Sequence, residues 1–593
     1  MEDLQAKIQE QILQLFGVEM PVQITVAPEE SGADYATNVA MQLAGRLKKE
    51  GILKEDDTPF APRDIALKLI DGLSGSSFDI EIAGPGFLNF ISRDEYFKEL
   101  LADMTANFEK NISSDEYSGQ TVICEFSDPN PFKVLHVGHL YTSMMGDSIS
   151  RLVEFAGGKV VRANFGGDVG LHVAKTLWAM QKNGLTAEAL EVKDSDGNGI
   201  VSSEEIAKKV EIIAQNYVEG TRAYEDDDQA RAEITEFNKT IYAINADDIH
   251  DTPLAKMYWT GRELSYRYFE DFYRRLGVKF DKYYPESSVA SRGLAEVEAH
   301  VPDVYEESDG ATVFVGERYG LHTRVFINKE HLPTYEAKDV GLLFTKWDDY
   351  HFDKSIVITG NDIIDYMKVV LKSVSLYAPD LVSRTLHITH GNVRLPGNEK
   401  MSSRKGNFVK AVDVLDAVLA LVPDEKVALA AIKYALLKYK IGGNIEFDIH
   451  ESVSTTGNSG VYLLYSAVRA KKILAGNYTV PQAGSDLAQT ESNLAQAESD
   501  LVKAEWKLAQ AEKNLIRKLA EYKNVLNEAV EEFAPHKIAN YLYETAQEFS
   551  RFYENVKVNG SEYENERREI VKLYLKTMEH GLGLLGIIVP EEM

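Results

Sequence analysis

The spacing of hydrophobic and polar positions changes twice along the chain and divides it into three regions. Residues 1–115 combine helical spacing with alternating segments, which predicts an N-terminal α+β domain. Over 116–445, buried strands alternate with amphipathic helices, which is typical of a Rossmann-type α/β domain. From 446 to 593 the spacing is almost entirely helical and predicts an all-α bundle.

Local patterns define elements within the first two regions. In the first, FDIEIA alternates apolar and polar residues, GPG forms a turn and FLNF is a second strand, which predicts a hairpin. In the second, TVICEF and KVVRANF are strands that are each followed by a helix. This order predicts parallel βαβ units with ligands at the carboxyl ends of the strands. Later strands are predicted at ATVFV, RVFIN, SIVITG and RTLHITH.

Two segments interrupt this organisation. Residues 181–255 are charged and helical and form a predicted insertion in the α/β domain. Residues 485–519 carry a leucine at every seventh position with small residues between them, which is an a/d heptad seam. As one helix this heptad arm would be roughly 50 Å long. It either packs on a neighbouring helix of the bundle, forms an intermolecular coiled coil, or touches RNA.

Composition limits the class of protein. The chain of 593 residues is too long for one hydrophobic core, and its apolar stretches are all broken by charge, so we expect no membrane span. Its amphipathic acidic start is unlike a signal peptide, and one cysteine, Cys124, excludes intrachain disulfides. The net charge of −29 disfavours nucleic acid as a partner, although RNA binding needs only a local basic groove. We expect a cytoplasmic protein.

The first candidate site lies in EFSDPNPFKVLHVGHL, where a buried strand ends and a helix begins. His136 and His139 are three residues apart and share one helical face, and Gly138 leaves room for a flat base or sugar. A helix N-terminus binds anions, and the ordinary pKa of histidine lets both rings donate to triphosphate oxygens. Alone, the pattern also fits two surface histidines beside a packing glycine.

The second candidate site is KMSSRKGN, which starts at Lys400 after the strand RTLHITH and a loop with glycine and proline. Lysine, arginine, small hydroxyls and glycine together make a mobile clamp for leaving pyrophosphate. By itself the segment also fits a solvated basic loop. The two sites lie about 260 positions apart on one α/β scaffold, and the pair is much more specific than either alone.

The pair resembles the HIGH and KMSKS signatures of class I aminoacyl-tRNA synthetases. EFSDPNPFKVLHVGHL, NFGGDVG, PTYEAKDVG and KMSSRKGN resemble segments of the arginyl-tRNA synthetases in particular. ADYATNVAMQLA and EIAGPGFLNF are similar to that family's additional N-terminal domain, and APHKIANYLYETAQEFSRFYENVKV is similar to its helical anticodon-binding domain. The resemblance covers the chain except the heptad arm and part of the insertion.

The resemblance implies a monomeric ligase that activates L-arginine with ATP and Mg²⁺, transfers it to tRNA(Arg), and requires bound tRNA for activation. Recognition of arginine needs a buried carboxylate, because only a planar bidentate pair separates a guanidinium from an ammonium. The residues implied in arginine binding are Glu125, Asn130, Asp168, His172, Tyr335 and Asp339.

The remaining roles are carried over in the same way. The implied catalytic residues are His136, His139, Lys133, Lys400 and Arg404. The implied ATP-binding residues are Gly138, His390, Gly391, Val393, Met401, Ser402 and Lys405. The implied tRNA-binding residues are Phe87, Asn89, Tyr462 and Arg469, although aromatic residues at helical spacing also suit a core. Position 403 departs from KMSKS, being serine; Lys133 occupies the place where family members carry a compensating lysine.

One segment is not explained by the resemblance. Residues 194–205 match a twelve-residue EF-hand loop with glycine at the sixth position. The Ca²⁺ ligands would include Asp194, Asp196, Asn198 and Glu205. The alternative is a polar helix connection in which Ser202 and Glu205 form a capping box.

Three rival functions fit parts of the sequence. A class I synthetase of other specificity shares both signatures but not the pocket around Asp339. A small-molecule nucleotidyltransferase with the same histidine motif is usually much shorter and needs no appended RNA-reading domains. A non-catalytic binding paralogue has no need of the histidines, Lys133 or Lys400.

Overall fold

The computed structural model describes residues 2–28, 31–54, 56–73, 77–192, 201–394, 396, 410–476 and 506–593. The strands, in chain order, are β1 Thr25–Val26, β2 Tyr35–Thr37, β3 Phe78–Ala83, β4 Phe87–Ser92, β5 Thr121–Glu125, β6 Lys159–Gly166, β7 Lys282–Pro285, β8 Glu306–Ser308, β9 Ala311–Phe314, β10 Arg324–Ile327, β11 Lys354–Gly360, β12 Thr385–His390, β13 Val393–Arg394 and β14 Ile445–Glu446.

The helices are α1 Glu2–Phe16, α2 Val39–Glu50, α3 Pro62–Gly72, α4 Asp94–Ala106, α5 Phe108–Ile112, α6 Val137–Phe155, α7 Leu171–Lys182, α8 Ser203–Asp226, α9 Asp228–Ala246, α10 Pro253–Leu276, α11 Glu286–Ala299, α12 Tyr335–Tyr350, α13 Ile364–Ser375, α14 Pro379–Ser383, α15 Ala411–Leu421, α16 Glu425–Leu437, α17 Ile449–Ser452, α18 Gly460–Leu474, α19 Gln510–Ala520, α20 Tyr522–Glu531, α21 Pro535–Asn555 and α22 Glu564–Leu584. The chain divides into two compact units. The first comprises Met1–Asn111, Tyr478–Ala520 and Arg551–Leu573, and the second comprises Ile112–Asn477, Glu521–Ser550 and Tyr574–Met593.

The first unit is built on an antiparallel sheet with strand order β1-β2-β4-β3. The predicted hairpin is confirmed, since β3 and β4 pair from Phe78 opposite Ser92 to Ala83 opposite Phe87. The turn needs Gly86, whose φ of +141° is rare for other residues and whose Cβ position lies 3.0 Å from the Pro62 backbone.

The described end of the heptad arm belongs to this first unit. Leu515 of α19 is fully buried, and Lys513 Nζ lies 2.7 Å from Asp94 Oδ1 at the start of α4. Arg517 forms a second ion pair with Asp34. The predicted packing on a helix of the C-terminal bundle is confirmed for this described end, because Arg567 Nε of α22 lies 2.9 Å from Glu512 Oε1 of α19. In addition, α19 contacts α4. Residues 485–505 of the arm lie outside the described residues.

The second unit contains a parallel sheet with strand order β12-β11-β5-β6-β7. Four of its strands confirm the predictions at TVICEF, KVVRANF, SIVITG and RTLHITH. The fifth, β7, was not predicted, because KYYP is four residues long and has no alternation or apolar run. Helices α11, α12 and α13 pack on the sheet around a core that includes Ile123, Val161 and Val357.

The predicted strands ATVFV and RVFIN form a separate antiparallel sheet with β8. Parallel strands need a long crossover, but β8 and β9 are joined by a two-residue turn. Asp309 and Gly310 in this turn both have positive φ, 50° and 81°, as a type I′ hairpin requires.

The predicted insertion is helical in its described part. Helix α8 begins where Ser202 Oγ accepts a hydrogen bond from Glu205 N at 3.2 Å. It packs closely on α7, because the Cβ position of Gly220 lies only 2.0 Å from the Lys175 carbonyl oxygen. Across the described parts of the chain, no helix is both long and apolar enough to cross a membrane.

Candidate active site

The loop between β5 and α6 is held in an unusual conformation at the carboxyl edge of the parallel sheet. Ser127, Asp128 and Phe132 have φ values of 75°, 48° and 64°, a region that non-glycine residues avoid. Hydrogen bonds hold the loop, including one from Phe165 N to Asp128 Oδ1 at 2.8 Å. Such strain is typical of functional loops whose conformation the surrounding structure dictates.

The two histidines of HVGH cap the helix that follows this loop. His136 N donates to His139 Nδ1 and Gly138 N donates to His136 Nδ1, both at 3.1 Å. The two rings stack with their centroids 3.8 Å apart. The Cβ position of Gly138 lies 2.8 Å from His136 Cε1, so a side chain there would displace the ring.

Both histidines are neutral near pH 7. Burial lowers the pKa of His136 to about 4, and burial also lowers the pKa of His139 well below its ordinary value. The Lys133 ammonium lowers both further. Because each Nδ1 accepts a hydrogen bond, each Nε2 carries the proton and donates. The sequence-based expectation that an ordinary histidine pKa governs donation is therefore wrong.

A cavity of about 760 Å³ opens in front of these histidines. The carboxyl ends of β5 and β11, the first turns of α6, α11 and α12, and the start of β13 line it. Its lining carboxylate residues are Glu125, Asp128, Glu286, Asp339 and Asp362. A pocket with this many carboxylates favours a cationic ligand.

Two of these carboxylates already have a buried lysine as partner. Glu125 Oε2 lies 2.6 Å from Lys346 Nζ, which also donates to Ser355 Oγ at 3.0 Å. Glu286 Oε2 lies 2.6 Å from Lys338 Nζ. Both lysines extend from α12, so this helix supplies the counter-ions of the pocket.

Asp339, on the same helix, is different. The Tyr366 hydroxyl donates a hydrogen bond to it, and the described residues contain no lysine or arginine in ion-pair contact with it. Burial is the largest cause that raises the pKa of Asp339 to about 8, and the charges of Glu125 and Glu286 contribute. Asp339 is thus a partly protonated carboxyl group that a ligand cation would ionise.

The four other residues implied in arginine binding differ in their position relative to this pocket. Asn130 lines it and accepts a hydrogen bond from Gly167 N at 2.8 Å. Asp168 does not line it, because Arg262 Nε and the Ser287 hydroxyl, 2.8 and 2.7 Å away, occupy its carboxylate.

His172 and Tyr335 complete the set. His172 Nε2 lies 2.6 Å from the Gly167 carbonyl oxygen, and its buried Nδ1 has no hydrogen-bond partner within the described ranges. Tyr335 lines the cavity at the first position of α12 and is 52% exposed.

Two residues implied in ATP binding, Gly138 and His390, also line this cavity. His390 Nε2 at the end of β12 lies 2.7 Å from Thr142 Oγ1 of α6, and this contact joins β12 to α6. His390 Nδ1 lies 2.9 Å from the Gly391 carbonyl oxygen. Gly391 has no room for a side chain, since its Cβ position is 2.1 Å from the Gly443 carbonyl oxygen. Val393 also lines the cavity.

A second cavity, of about 510 Å³, shares Asn130, His136 and His139 with the first. Its other wall is α8 of the insertion. Lys133 Nζ lies 5.1 Å from the centroid of the Tyr217 ring, a cation–π contact across this cavity. His136 and His139 therefore lie between two cavities.

The KMSSRKGN segment lies outside the described residues, and with it Lys400, Met401, Ser402, Arg404 and Lys405. The next described residue is Lys410, which pairs with His136 in an isolated β-bridge. Lys410 Nζ also lies 2.6 Å from Glu211 of α8. Lys410, the first described residue after the segment, thus lies beside His136. Asp194, Asp196 and Asn198 of the EF-hand match also lie outside the described residues, and Glu205 lies in the first turn of α8.

The residues implied in tRNA binding differ in exposure. Phe87 is 39% exposed, whereas Asn89 is only 8% exposed in the central strand of its sheet. In α18, the Tyr462 hydroxyl lies 3.1 Å from Ser550 Oγ. The Arg469 guanidinium lies 4.7 Å from the ring centroid of Tyr465.

The sequence patterns missed several residues of the pocket. Glu286 follows β7, and recognition of that strand would have placed it at the carboxyl edge of the sheet. Lys338 and Lys346 lie on α12 beside Asp339, but lysines on a helix normally indicate a solvated face. Tyr366 carried no recognisable signal.

Three parts of the chain match known protein families. Residues 103–425, more than half of the chain, match the family profile described as tRNA synthetases class I (R), catalytic domain. Residues 2–91 match the arginyl tRNA synthetase N terminal domain, and residues 463–593 match the DALR anticodon binding domain.

Similar whole proteins are also known. The arginine–tRNA ligases of Bacteroides fragilis and Porphyromonas gingivalis are 27% and 28% identical to this chain over 546 and 555 residues, which is 86% of each chain in both cases. The arginyl-tRNA synthetase of Thermus thermophilus has a similar fold, with a TM-score of 0.67 and 23% identity over 100% of both chains. That of Plasmodium falciparum has a TM-score of 0.68 and 18% identity, over 100% of this chain and 99% of the other.

Proposed function

The chain belongs to the class I arginyl-tRNA synthetase family, and from this premise we propose that it is an arginine–tRNA ligase. It activates L-arginine with ATP and transfers the arginyl group to the 3′ end of tRNA(Arg). The proposed parts are a tRNA-recognition domain over 1–115, a catalytic domain over 116–445 and an anticodon-binding domain over 446–593. Its proposed site of action is the cytoplasm, and its proposed state is a monomer.

One observation carries the assignment of arginine. Asp339 lies in a carboxylate-lined pocket, bonded to Tyr366, with no basic residue paired to it in the part of the chain described. A guanidinium matches a carboxylate through two parallel hydrogen bonds, which an ammonium cannot form. A buried site left without its matching donor discriminates by several kcal/mol, about 10⁴-fold.

The rest of the amino acid has partners close by. Glu286, Tyr335, Glu125 and Asn130 line the same pocket as Asp339. Asp168 and His172 act indirectly. Asp168 accepts a hydrogen bond from the Ser287 hydroxyl, and His172 Nε2 contacts the Gly167 carbonyl oxygen. In this arrangement the arginine carboxylate points towards His136 and His139.

ATP occupies the part of the cavity that His390 and Val393 line, and Mg²⁺ would neutralise charge on its phosphates. The adenine lies against backbone groups at His390, Gly391 and Val393, and Gly138 lies beneath the adenosine. The neutral histidines donate from Nε2 to phosphate oxygens. Lys400, Arg404 and Lys405, together with Lys133, neutralise the β- and γ-phosphates. Met401 and Ser402 of the same KMSSRKGN segment also bind ATP.

Two displacements follow. A carboxylate oxygen of arginine attacks the α-phosphorus, the bond to the bridging oxygen breaks, and pyrophosphate leaves to give arginyl-adenylate. A hydroxyl of the terminal tRNA ribose then attacks the arginyl carbonyl carbon, its proton is lost, and AMP leaves. Positioning and stabilisation of charge on the leaving groups carry out most of this catalysis. The first step requires bound tRNA.

The test is ATP–pyrophosphate exchange with each of the twenty amino acids, with and without total tRNA. Exchange with arginine alone, and only with tRNA present, is the expected result. Exchange with another amino acid would remove the role of Asp339 and leave the class I fold. Absence of exchange under every condition would favour a non-catalytic binding protein instead.

A further inference from the structure

The C-terminal part of α22, which belongs to the second unit, ends against α6, the helix that follows the proposed catalytic histidine His136. Helix α22 ends at Leu584, and Gly586 beyond it has a φ of +69°. Gly586 N donates to the Gly583 carbonyl at 3.0 Å, which closes the final turn. Such a turn leaves carbonyl oxygens of the last residues that need further donors.

Three side chains from two other helices supply these donors. Ser148 Oγ donates to the Leu584 carbonyl at 3.0 Å, and Arg151 Nη1 lies 3.5 Å from the Gly583 carbonyl. Lys433 Nζ of α16 donates to the Gly586 carbonyl at 2.6 Å. We call these three residues, Ser148, Arg151 and Lys433, the α22 cap. Two of its members are cations, which are favourable at the negative end of a helix dipole.

The α22 cap is tightly packed. Lys433 is only 3% exposed, and a Cβ atom on Gly586 would lie 2.9 Å from its Nζ and 3.1 Å from Asp147 Oδ2. Asp147 balances the charge, since its Oδ2 lies 2.7 Å from Arg151 Nε. The charged groups that act on Lys433 are thus Asp147 and Arg151 of α6, and Gly277 at the end of α10 lies close to its Nζ.

The cap and the catalytic histidines share one rigid helix. Ser148 and Arg151 lie nine and twelve residues after His139 in α6, or about 14 and 18 Å along the helix axis. Nearly every residue between them is buried, so α6 moves as a single body. A shift of its far end therefore moves His136 and His139 at its start.

We propose that the α22 cap sets the position of α6, so that Ser148, Arg151 and Lys433 are positioning residues for the activation step. The proposal rests on the proposed function, because it assigns the cap a role in that reaction. Positioning errors of about 1 Å at reacting groups cost roughly 10²-fold in rate. Loss of the cap should therefore reduce kcat and leave the KM values for ATP and arginine nearly unchanged, because the pocket residues are untouched.

The pH dependence separates positioning from simple stabilisation. Burial lowers the pKa of Lys433 to about 8, so above that pH the folded protein loses this proton while the unfolded chain keeps it. The folded state binds fewer protons there, so this group makes the protein more stable as pH rises from 8 towards 10. The cap, by contrast, loses its cation. A decrease of kcat above pH 8, together with unchanged or higher stability, is expected only from positioning.

The experiment measures ATP–pyrophosphate exchange at saturating tRNA from pH 6.5 to 9.5, with melting temperatures, for the wild type and four variants. Lys433→Met should lower kcat about tenfold or more, shift each KM by less than twofold, and remove the decrease above pH 8. Lys433→Arg should restore part of kcat and, because arginine does not titrate, give a flat profile. Ser148→Ala should lower kcat two- to fivefold. The control Lys572→Met removes a half-exposed lysine of α22 that pairs with Glu569. It should leave kcat, each KM and the pH profile unchanged.

Each result decides the proposal. If the wild type shows no arginine-dependent exchange, the proposed function fails, and with it the premise of the cap. If the wild type is active and Lys433→Met keeps its kcat, or changes only the melting temperature, the positioning role is wrong. If Lys433→Met does not fold, Lys433→Arg and Ser148→Ala decide, and unchanged kcat with an unchanged pH profile in both would overturn it.

Discussion

The Lys346 ammonium lies 2.6 Å from the Glu125 carboxylate, with both side chains almost completely buried. This contact joins α12 to the last residue of β5, at the edge of the sheet where the pocket opens. Lys346 also binds Ser355 of β11, so a single ammonium connects three elements beneath the arginine pocket. The charge of Glu125 is therefore compensated before any substrate arrives.

Removal of Lys346 should destabilise the protein strongly. Lys346→Met leaves the Glu125 carboxylate buried without a partner, which costs about 3–5 kcal/mol. The double variant Lys346→Met/Glu125→Gln removes both charges and should recover a large part of that loss. Urea unfolding, followed by a spectroscopic signal from the second unit, measures the difference in the free energy of unfolding between these variants. A surface control, Lys239→Met, breaks an exposed pair with Glu236 and should change stability by less than about 1 kcal/mol. Equal losses in the single and double variants would contradict the expectation.

Asp339→Asn should damage arginine recognition while sparing the fold. An amide cannot form the charged bidentate pair with a guanidinium, and the loss of a charge-assisted hydrogen bond costs about 1.5–3 kcal/mol, or roughly 10- to 150-fold in the arginine KM. The KM for ATP should stay within about twofold. Asp348→Asn is a matched control, because Asp348 lies on the same helix and is exposed beside Arg292. The same increase in both variants would show that the effect is not specific to the pocket.

The arginine KM should fall as pH rises, because the guanidinium binds the ionised form of Asp339. The pKa of Asp339 is about 8 in the empty pocket, which Glu125, Glu286, Lys346 and Tyr366 surround. Below this pH the carboxyl group is mostly protonated, and arginine must displace the proton. From pH 7 to 8 the apparent affinity should increase about fivefold. Asp339→Asn should remove the dependence. A wild-type KM that is constant over this range would contradict the assignment of the proton.

The pH dependence of kcat should differ from that of the KM. Burial keeps His136 and His139 neutral from pH 6 upward, with the pKa of His136 at about 4. No histidine ionisation should therefore appear in kcat between pH 6 and 8. This separation follows from the structure, because the sequence shows two histidines and not how deeply they are buried.

The sequence predicted the parts of the fold whose information is local. The hairpin of β3 and β4, the strand β5 and the start of α6 follow from alternation, a glycine turn and the change from strand to helix spacing. The strand β7 could not be predicted, because a four-residue strand with a lysine and a proline is defined only by its pairing with β6. The strands β9 and β10 were predicted, but their separate antiparallel sheet was not, because it is defined by their pairing with each other and with β8.

The candidate site was predictable where a motif carried it. The residues of HVGH and two residues of PTYEAKDVG, Tyr335 and Asp339, line one cavity, as expected from the carboxyl edge of a parallel sheet. The pairs of Glu125 with Lys346 and of Glu286 with Lys338 were not predictable, because their members are 221 and 52 residues apart and become partners only through packing. The ion pair of Asp168 with Arg262 could not be predicted from the sequence for the same reason.

Gly138→Ala should test whether the stacked histidines are needed for activation. A methyl group at this position would lie 2.8 Å from His136 Cε1 and 2.9 Å from its Nδ1, closer than real Cβ contacts allow. The ring must move, which breaks its hydrogen bond from the residue 138 amide and its stack on His139. We expect kcat for pyrophosphate exchange to fall at least tenfold, with the melting temperature changed by only a few degrees.

Gly45→Ala is the matched control for this change. Gly45 lies in α2, where the added methyl group meets nothing within 4 Å, so alanine should increase stability by up to about 1 kcal/mol through its higher helix propensity. Its kcat should equal that of the wild type. A Gly138→Ala variant with wild-type kcat would mean that the ring positions seen here are not those used in the reaction. A loss in both variants would point to a general effect of alanine on folding.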